Sequence, residues 1–224
     1  MSSLNTVRDH FDRDAERFDA IYEEAKPLHQ RMFDRLRHVV VERFELVRAL
    51  APIPGAWSVL DVGCGPGRYG LALAALGARR IVGLDVAGKM LDLARAEFER
   101  AGVAERGEFV HSDFLSFRTD ERFEVVLAMG YFDYLEEPLP HLKKMIEVCR
   151  GRVFASIPKR WEWRAPIRKA KFLAIRSFVR FYSKSEIRGV IRDAGVSDDR
   201  CALIDLGRDW LLVVNCAKDA RVDE

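Results

Sequence analysis

Three acids and a run of glycines carry the first chemical signal in this 224-residue chain. In Val59-Leu60-Asp61-Val62-Gly63-Cys64-Gly65-Pro66-Gly67-Arg68-Tyr69-Gly70 an apolar run (Trp57 to Val62) holds Asp61 and gives way to glycines at alternate positions. Glycine is needed where the main chain turns sharply and must approach a ligand with no Cβ in between. A helix start just beyond would offer unpaired N–H groups to an acceptor. The next two apolar runs, Arg80 to Leu84 and Glu108 to His111, are followed by Asp85 and by Asp113-Phe114. Such a set describes a site for a nucleotide-type ligand.

Two ligands compete for it. Gly65-Pro66-Gly67-Arg68-Tyr69-Gly70 satisfies the dinucleotide pattern G-x-G-x-x-G, and Asp85 lies near the distance expected of a ribose-binding acid. Asp61, however, stands two residues before the first glycine, where a pyrophosphate would be repelled and an ammonium attracted. Carboxylates at three successive strand ends suit S-adenosylmethionine, which has an ammonium, a sulfonium, a ribose diol and an adenine amine, and no phosphate. The competing reading of Asp85 and Asp113 is an ordinary helix N-cap after a strand.

With these residues in place, the sequence resembles the class I S-adenosylmethionine-dependent methyltransferases. The matching stretches are VLDVGCGPGRYG at 59–70, IVGLDVAGKMLDLAR at 81–95, EFVHSDF at 108–114 and FEVVLAMGYFDYLEEP at 123–138. The resemblance implies that Asp61 and the loop of Gly63, Cys64, Gly65 and Gly67 hold the methionine portion. It implies that Asp85 binds the ribose hydroxyls and that Asp113 and Phe114 flank the adenine, with Val86, Met90 and Met129 completing the cofactor-binding set.

The elements that must position these residues follow from periodicity. From 57 to 158 short apolar strands alternate with amphipathic helices, the pattern of a parallel sheet covered on both faces. The helix after Asp85 should bury Met90, Leu91, Ala94 and Phe98, and the one after Pro138 should bury Leu142, Met145, Ile146 and Cys149. Strand four is expected at Phe123 to Met129 and strand five at Arg152 to Ile157. Two closing strands, Cys201 to Leu206 and Trp210 to Cys216, are joined by Gly207-Arg208-Asp209 and so form a hairpin with one strand antiparallel. The expected fold is α/β, a Rossmann-like doubly wound seven-stranded sheet, mostly parallel, preceded by a helical arm. The arm is assigned to residues 1–50 and the domain to 51–224. Residues 4–22 carry a helical apolar stripe; they resemble the N-terminal lid of small-molecule methyltransferases, and a fixed packing helix is the equal alternative.

Composition narrows the class. Nearly half of the residues are apolar and no apolar run approaches ~18 residues, so a soluble cytoplasmic protein is expected. The four cysteines show no C-x-x-C spacing and read as buried free thiols; the five histidines are scattered, so no metal site is expected. Lys159 to Arg192 holds eleven Lys/Arg against two acids, with aromatics interleaved through an insertion at 159–182. That mixture suits a nucleic-acid backbone, an anionic membrane surface or an acidic acceptor with an apolar body, against a plain solvated helix face. Strand four lacks the Asn/Asp-Pro-Pro-aromatic turn of base-amine methylation, so a small acceptor is favoured over nucleic acid, and no obligate protein partner is evident.

The function expected is methyl transfer to an oxygen, nitrogen or carbon of a small, anionic, partly apolar molecule. RNA or protein methylation through the basic segment is the alternative, and an NAD-binding or non-catalytic protein the second. Tyr22, Tyr131 and Asp133 are the candidate catalytic residues, and Arg164 and Arg168 the candidate acceptor-binding pair. His111 is expected in the core of strand three and His141 on a helix face. The arm, the proline after strand five and the closing hairpin loosely resemble ubiquinone-pathway and magnesium-protoporphyrin methyltransferases.

Overall fold

The computed structural model describes residues 8, 43, 45–50, 57–160 and 178–217. Tyr22, Arg164 and Arg168, and most of the 1–50 arm and of the 159–182 insertion, lie outside the described residues. The strands are β1 (Ser58–Val62), β2 (Arg80–Asp85), β3 (Gly107–His111), β4 (Phe123–Ala128), β5 (Cys149–Pro158), β6 (Cys201–Asp205) and β7 (Asp209–Asn215). The helices between them are α1 (Arg68–Ala75), α2 (Gly88–Arg100), α3 (Pro138–Glu147) and α4 (Lys184–Asp193). Strand order is β3-β2-β1-β4-β5-β7-β6. Pairing is parallel throughout except that β7 runs antiparallel to both β5 and β6. This is the expected seven-stranded sheet with its antiparallel hairpin strand.

Alternation along each strand divides the core in two. Leu60, Val62, Val82, Leu84, Val126 and Val153 face α3 and α4, whose Leu142, Met145, Ile187 and Ile191 close that side. Val59, Ile81, Val125, Leu127 and Phe154 face the opposite way, against Leu73 and Ala74 of α1, Phe98 of α2 and Val47. Because both faces are covered, the strands read as continuous apolar runs, which made them legible.

The helical residues at 43–50 lie on the second face. Arg43 pairs with Asp209, opposite the C-terminal end of β5, while Arg152 near the strand's start donates to the Leu50 carbonyl. This helix therefore descends from the C-terminal edge of the sheet.

Helix ends obey local chemistry. A capping box opens α4 at Ser183: its hydroxyl accepts from the Glu186 amide, and the Glu186 carboxylate accepts from the Ser183 amide. In α2 the buried set is the predicted Met90, Leu91, Ala94 and Phe98. One boundary is corrected. Cys149 opens β5 and does not belong to α3, because the chain passes from helix to strand within Val148 with no glycine or proline to mark it. The cysteines are all free, as expected, but only Cys64 and Cys149 are buried; Cys201 and Cys216 are half-buried. No helix among the described residues is long and apolar enough to cross a membrane.

Candidate active site at the C-terminal edge of the sheet

The glycine loop leaves β1 at the middle of the sheet, at the strand ends. Gly63, Gly65 and Gly67 all have positive φ (68°, 52° and 74°), the left-handed region that glycine enters without strain. Space adds a second constraint. A Cβ on Gly63 would stand 2.8 Å from the Tyr131 ring, and one on Gly67 3.0 Å from Ala94. At Gly65 it would meet nothing within 4 Å, so this turn of the loop opens onto free space. The loop is pinned from beneath: the Gly63 and Cys64 amides donate to the Leu84 carbonyl at 2.8 and 3.0 Å. Gly70 serves packing instead, since a Cβ there would come within 2.7 Å of Ile81.

Asp61 lies below this loop with 1% of its surface exposed. Its Oδ2 is buried and has no hydrogen-bond partner among the described residues. Burial, with the Asp85 charge adding to it, raises its pKa to about 7; the Gly70 amide offsets part of the rise. A buried carboxylate oxygen without a partner at a ligand loop is costly unless a cation or donor completes it.

Asp85 is more committed than its sequence position suggested. Its Oδ2 accepts from the Gly65 amide and its Oδ1 from the Ala87 amide, each at 2.9 Å. It thereby braces the glycine loop against the start of α2, whose N-cap is Ala87. A carboxylate oxygen has a second lone pair, so ribose hydroxyls remain compatible with these bonds. Asp113 behaves similarly: its Oδ2 accepts from the Ser116 amide at 3.0 Å and sets the turn after β3. Neither acid is the helix N-cap weighed against it: the cap of α2 is Ala87, and Asp113 closes a turn with no helix behind it.

Of the remaining predicted residues, Cys64, Met90 and Phe114 are buried, while Val86 and Met129 are half-buried. The Cys64 Sγ packs where a Cβ on Gly83 would stand, and the Phe114 ring packs against Tyr131 and His141. His111 is corrected: it lies in β3 but is exposed, and its Nε2 donates to the Val86 carbonyl at 2.8 Å. Asp133 sits in a short 3-10 turn, buried, and its carbonyl accepts from the Arg180 amide at 2.7 Å.

Tyr131 follows Gly130, whose positive φ and amide bond to the Ser156 hydroxyl (2.7 Å) fix the turn after β4. Its hydroxyl meets His141 Nδ1 at 2.8 Å. Burial, followed by the charges of Asp113 and Asp85, pushes the Tyr131 pKa far above its ordinary value. Burial lowers that of His141 to about 4. The pair is therefore two neutral groups near pH 7, and Tyr131 is a hydrogen-bond donor or acceptor rather than a phenolate base. His141 is the residue sequence reasoning missed; its only signal was an imidazole on the apolar side of α3.

The base of the basic insertion is also placed. The Arg160 amide donates to the Tyr182 carbonyl and the Tyr182 amide to the Pro158 carbonyl, so the excursion leaves and returns at one point. Tyr182 Oη donates to the Phe132 carbonyl at 3.1 Å, which joins that point to the turn after β4. The described cations here are paired: Lys159 with Asp205, Arg160 with Glu186, and Arg180 with the Glu136 carbonyl. This part of the segment is stitched to the domain and is not a bare cationic strip.

Residues 59–152 match the family model of a methyltransferase domain. The ubiquinone biosynthesis O-methyltransferase of Cereibacter sphaeroides strain KD131 is 33% identical over 128 residues, covering 56% of this chain and 51% of that protein. The enzyme of the same name from Ralstonia nicotianae is 28% identical over 189 residues, covering 77% and 73%. The chain spans about half the length of the Cereibacter relatives that it matches. Among solved structures, magnesium protoporphyrin IX methyltransferase from Synechocystis PCC 6803 with bound SAH superposes at a TM-score of 0.75. It is 20% identical and covers 94% of this chain and 98% of that one.

Proposed function

We propose that this chain, which belongs to the class I S-adenosylmethionine-dependent methyltransferases through residues 59–152, transfers a methyl group to a small, anionic, partly apolar acceptor, at an oxygen atom. The observation that carries the cofactor reading is the unpartnered Asp61 Oδ2, buried beneath a loop whose Gly65 faces open space. An ammonium would complete that carboxylate; a pyrophosphate would face two acids, Asp61 and Asp85. Sheet topology weighs the same way, since a dinucleotide domain runs 3-2-1-4-5-6 and here an antiparallel β7 lies between β5 and β6.

When bound, S-adenosylmethionine would supply an activated methyl group. The chain's own residues would hold it: Asp61 at the ammonium, the Gly63–Gly67 loop along the methionine backbone, Asp85 at the ribose and the Asp113 turn beside the adenine. With the methyl already activated, the enzyme has mainly to align the acceptor within about 3–3.5 Å and exclude water. Of the two catalytic candidates described, Tyr131 keeps its proton and so orients an acceptor by hydrogen bonding. Asp133, 8% exposed, supports the turn that carries Tyr131.

The names of the relatives favour an oxygen acceptor, and two features favour a small one. The insertion returns to its own base beside the turn after β4, where it can roof a pocket, and its described cations are already paired. Arg164 and Arg168 are assigned to the acceptor's acidic group and Tyr22 to alignment of the acceptor with the methyl group. An RNA backbone would instead need several free cations in a row, with binding that falls steeply with salt.

The test is transfer of labelled methyl from S-adenosylmethionine into a cell extract divided into small-molecule, RNA and protein fractions. Label in the small-molecule fraction, lost on base treatment as a methyl ester is or kept as an ether is, supports the reading. Label confined to RNA or protein overturns it.

A further inference from the structure

The inner side of α3 carries two polar residues one turn apart, and each grips a loop of the site. Lys144 donates to the carbonyls of Phe114, Leu115 and Phe117 in the turn after β3. His141, 7% exposed, meets the Tyr131 hydroxyl at 2.8 Å in the turn after β4. Between the two, the Phe114 ring stacks on the imidazole at 6.3 Å and meets Tyr131 edge-on at 6.5 Å.

Tyr131 is held at both ends. One ring edge lies against the backbone of Gly63, so closely that a Cβ there would stand 2.8 Å from Cδ2. The other end is the hydroxyl on His141. A tyrosine has only two χ torsions, so these two contacts leave it one rotamer. The Gly63 contact belongs to the glycine loop, and the charges of Asp85 and Asp113 act on the Tyr131 hydroxyl.

We propose that His141 is a positioning residue: through its hydrogen bond it locks the Tyr131 ring against Gly63 and so fixes the wall of the cofactor subsite. This rests on the assignment of the glycine loop to S-adenosylmethionine. His141 reaches the glycine loop through Tyr131. Its burial keeps the imidazole neutral, which suits a tether between two uncharged groups and does not suit a proton carrier.

A tether and a merely satisfied buried hydroxyl are distinguishable, because they respond differently when both partners are removed. His141→Phe keeps the stack on Phe114 and strands the Tyr131 hydroxyl; it should lower the melting temperature and weaken S-adenosylhomocysteine binding about fivefold to tenfold, the scale of one buried hydrogen bond. Adding Tyr131→Phe removes the stranded group and should restore most of the melting temperature. The affinity should stay low, because the ring is still untethered. His141→Asn, whose amide oxygen can stand near the Nδ1 position, should retain affinity within about twofold, since an equivalent bond is available.

Calorimetry with S-adenosylhomocysteine and thermal unfolding of these three variants decide the matter. Affinity that recovers together with melting temperature in the double variant would overturn the proposal, as would unchanged affinity in His141→Phe. Absence of binding by the wild-type chain is a separate outcome: it overturns the cofactor assignment and the tether with it.

Discussion

The C-terminal edge of the sheet has two halves with opposite electrostatics. On the side of β1, β2 and β3 three carboxylates stand at or just beyond the strand ends, Asp85 bonded to the glycine loop and Asp61 buried with an unpartnered oxygen. On the side of β5, β7 and β6 charges meet charges: Arg43 with Asp209, Lys159 with Asp205, Arg160 with Glu186. In the first half a buried carboxylate oxygen lacks a donor; in the second each of these charges has an opposite partner, although Arg43 Nε is also left without one among the described residues. Burial without a partner costs stability and is kept where a ligand supplies the missing group.

The largest expected effect breaks the first half. Asp61→Asn should weaken S-adenosylmethionine binding by about 2–3 kcal/mol, the upper range for a hydrogen bond to a charged group. The ligand-free protein should be as stable as wild type or more so, because an uncompensated buried charge is gone. Calorimetry and thermal unfolding together check both statements. Unchanged affinity would return Asp61 to the scaffold.

Asp209→Asn probes the second half with the reverse signature. It leaves the half-buried Arg43 guanidinium without its ion partner and should cost about 2 kcal/mol of stability, while affinity for the cofactor stays constant. Denaturant unfolding would show it. A loss of cofactor affinity instead would mean that the two halves are coupled.

Asp85→Ala sits between these cases, since its carboxylate braces the loop through Gly65 and Ala87. Cofactor binding should weaken by about 1–3 kcal/mol and stability should fall as well. An affinity loss with no change in stability would show that the ribose, and not the brace, is its main business.

The pH dependence sharpens the contrast further. Asp61 has its folded pKa raised from 3.8 to about 7, so the folded state binds the extra proton between those values. Its contribution to stability is intact below the unfolded pKa and is lost as pH rises toward about 7. Ligand binding runs the other way. An ammonium binds the ionised form, so affinity should rise about tenfold from pH 6 to pH 8, and Asp61→Asn should abolish that rise.

Lys159→Ala marks the small end. Its pair with Asp205, whose side chain is two-thirds exposed, and its place over the Trp210 ring should together be worth about 1 kcal/mol or less. A larger loss would mean that this side of the edge depends on its charges more than burial suggests.

The sheet and the loop were legible because their determinants are local. Apolar runs between turn residues fixed the strands, and glycines at 63, 65 and 67 stand where positive φ is required. What was not legible depends on partners distant in sequence. Two described cations of the basic segment, Arg160 and Lys159, pair with Glu186 and Asp205, 26 and 46 residues away. His141 looked like a helix-face histidine because Tyr131, ten residues earlier, is reached only through the turn at Gly130. Cys149 was read into α3 because helix and strand abut without punctuation. Asp85 and Asp113 were recognised at the strand ends, yet their backbone bonds to Gly65, Ala87 and Ser116 follow from loop geometry that composition does not reveal.

The cofactor assignment is tested most directly by titrating the wild-type chain with S-adenosylhomocysteine and, separately, with NAD at pH 6 and pH 8. S-adenosylhomocysteine should bind on the order of micromolar at pH 8 and about tenfold more weakly at pH 6, and NAD should give no heat. Binding of NAD in preference, or S-adenosylhomocysteine affinity that ignores pH across that range, would contradict that assignment.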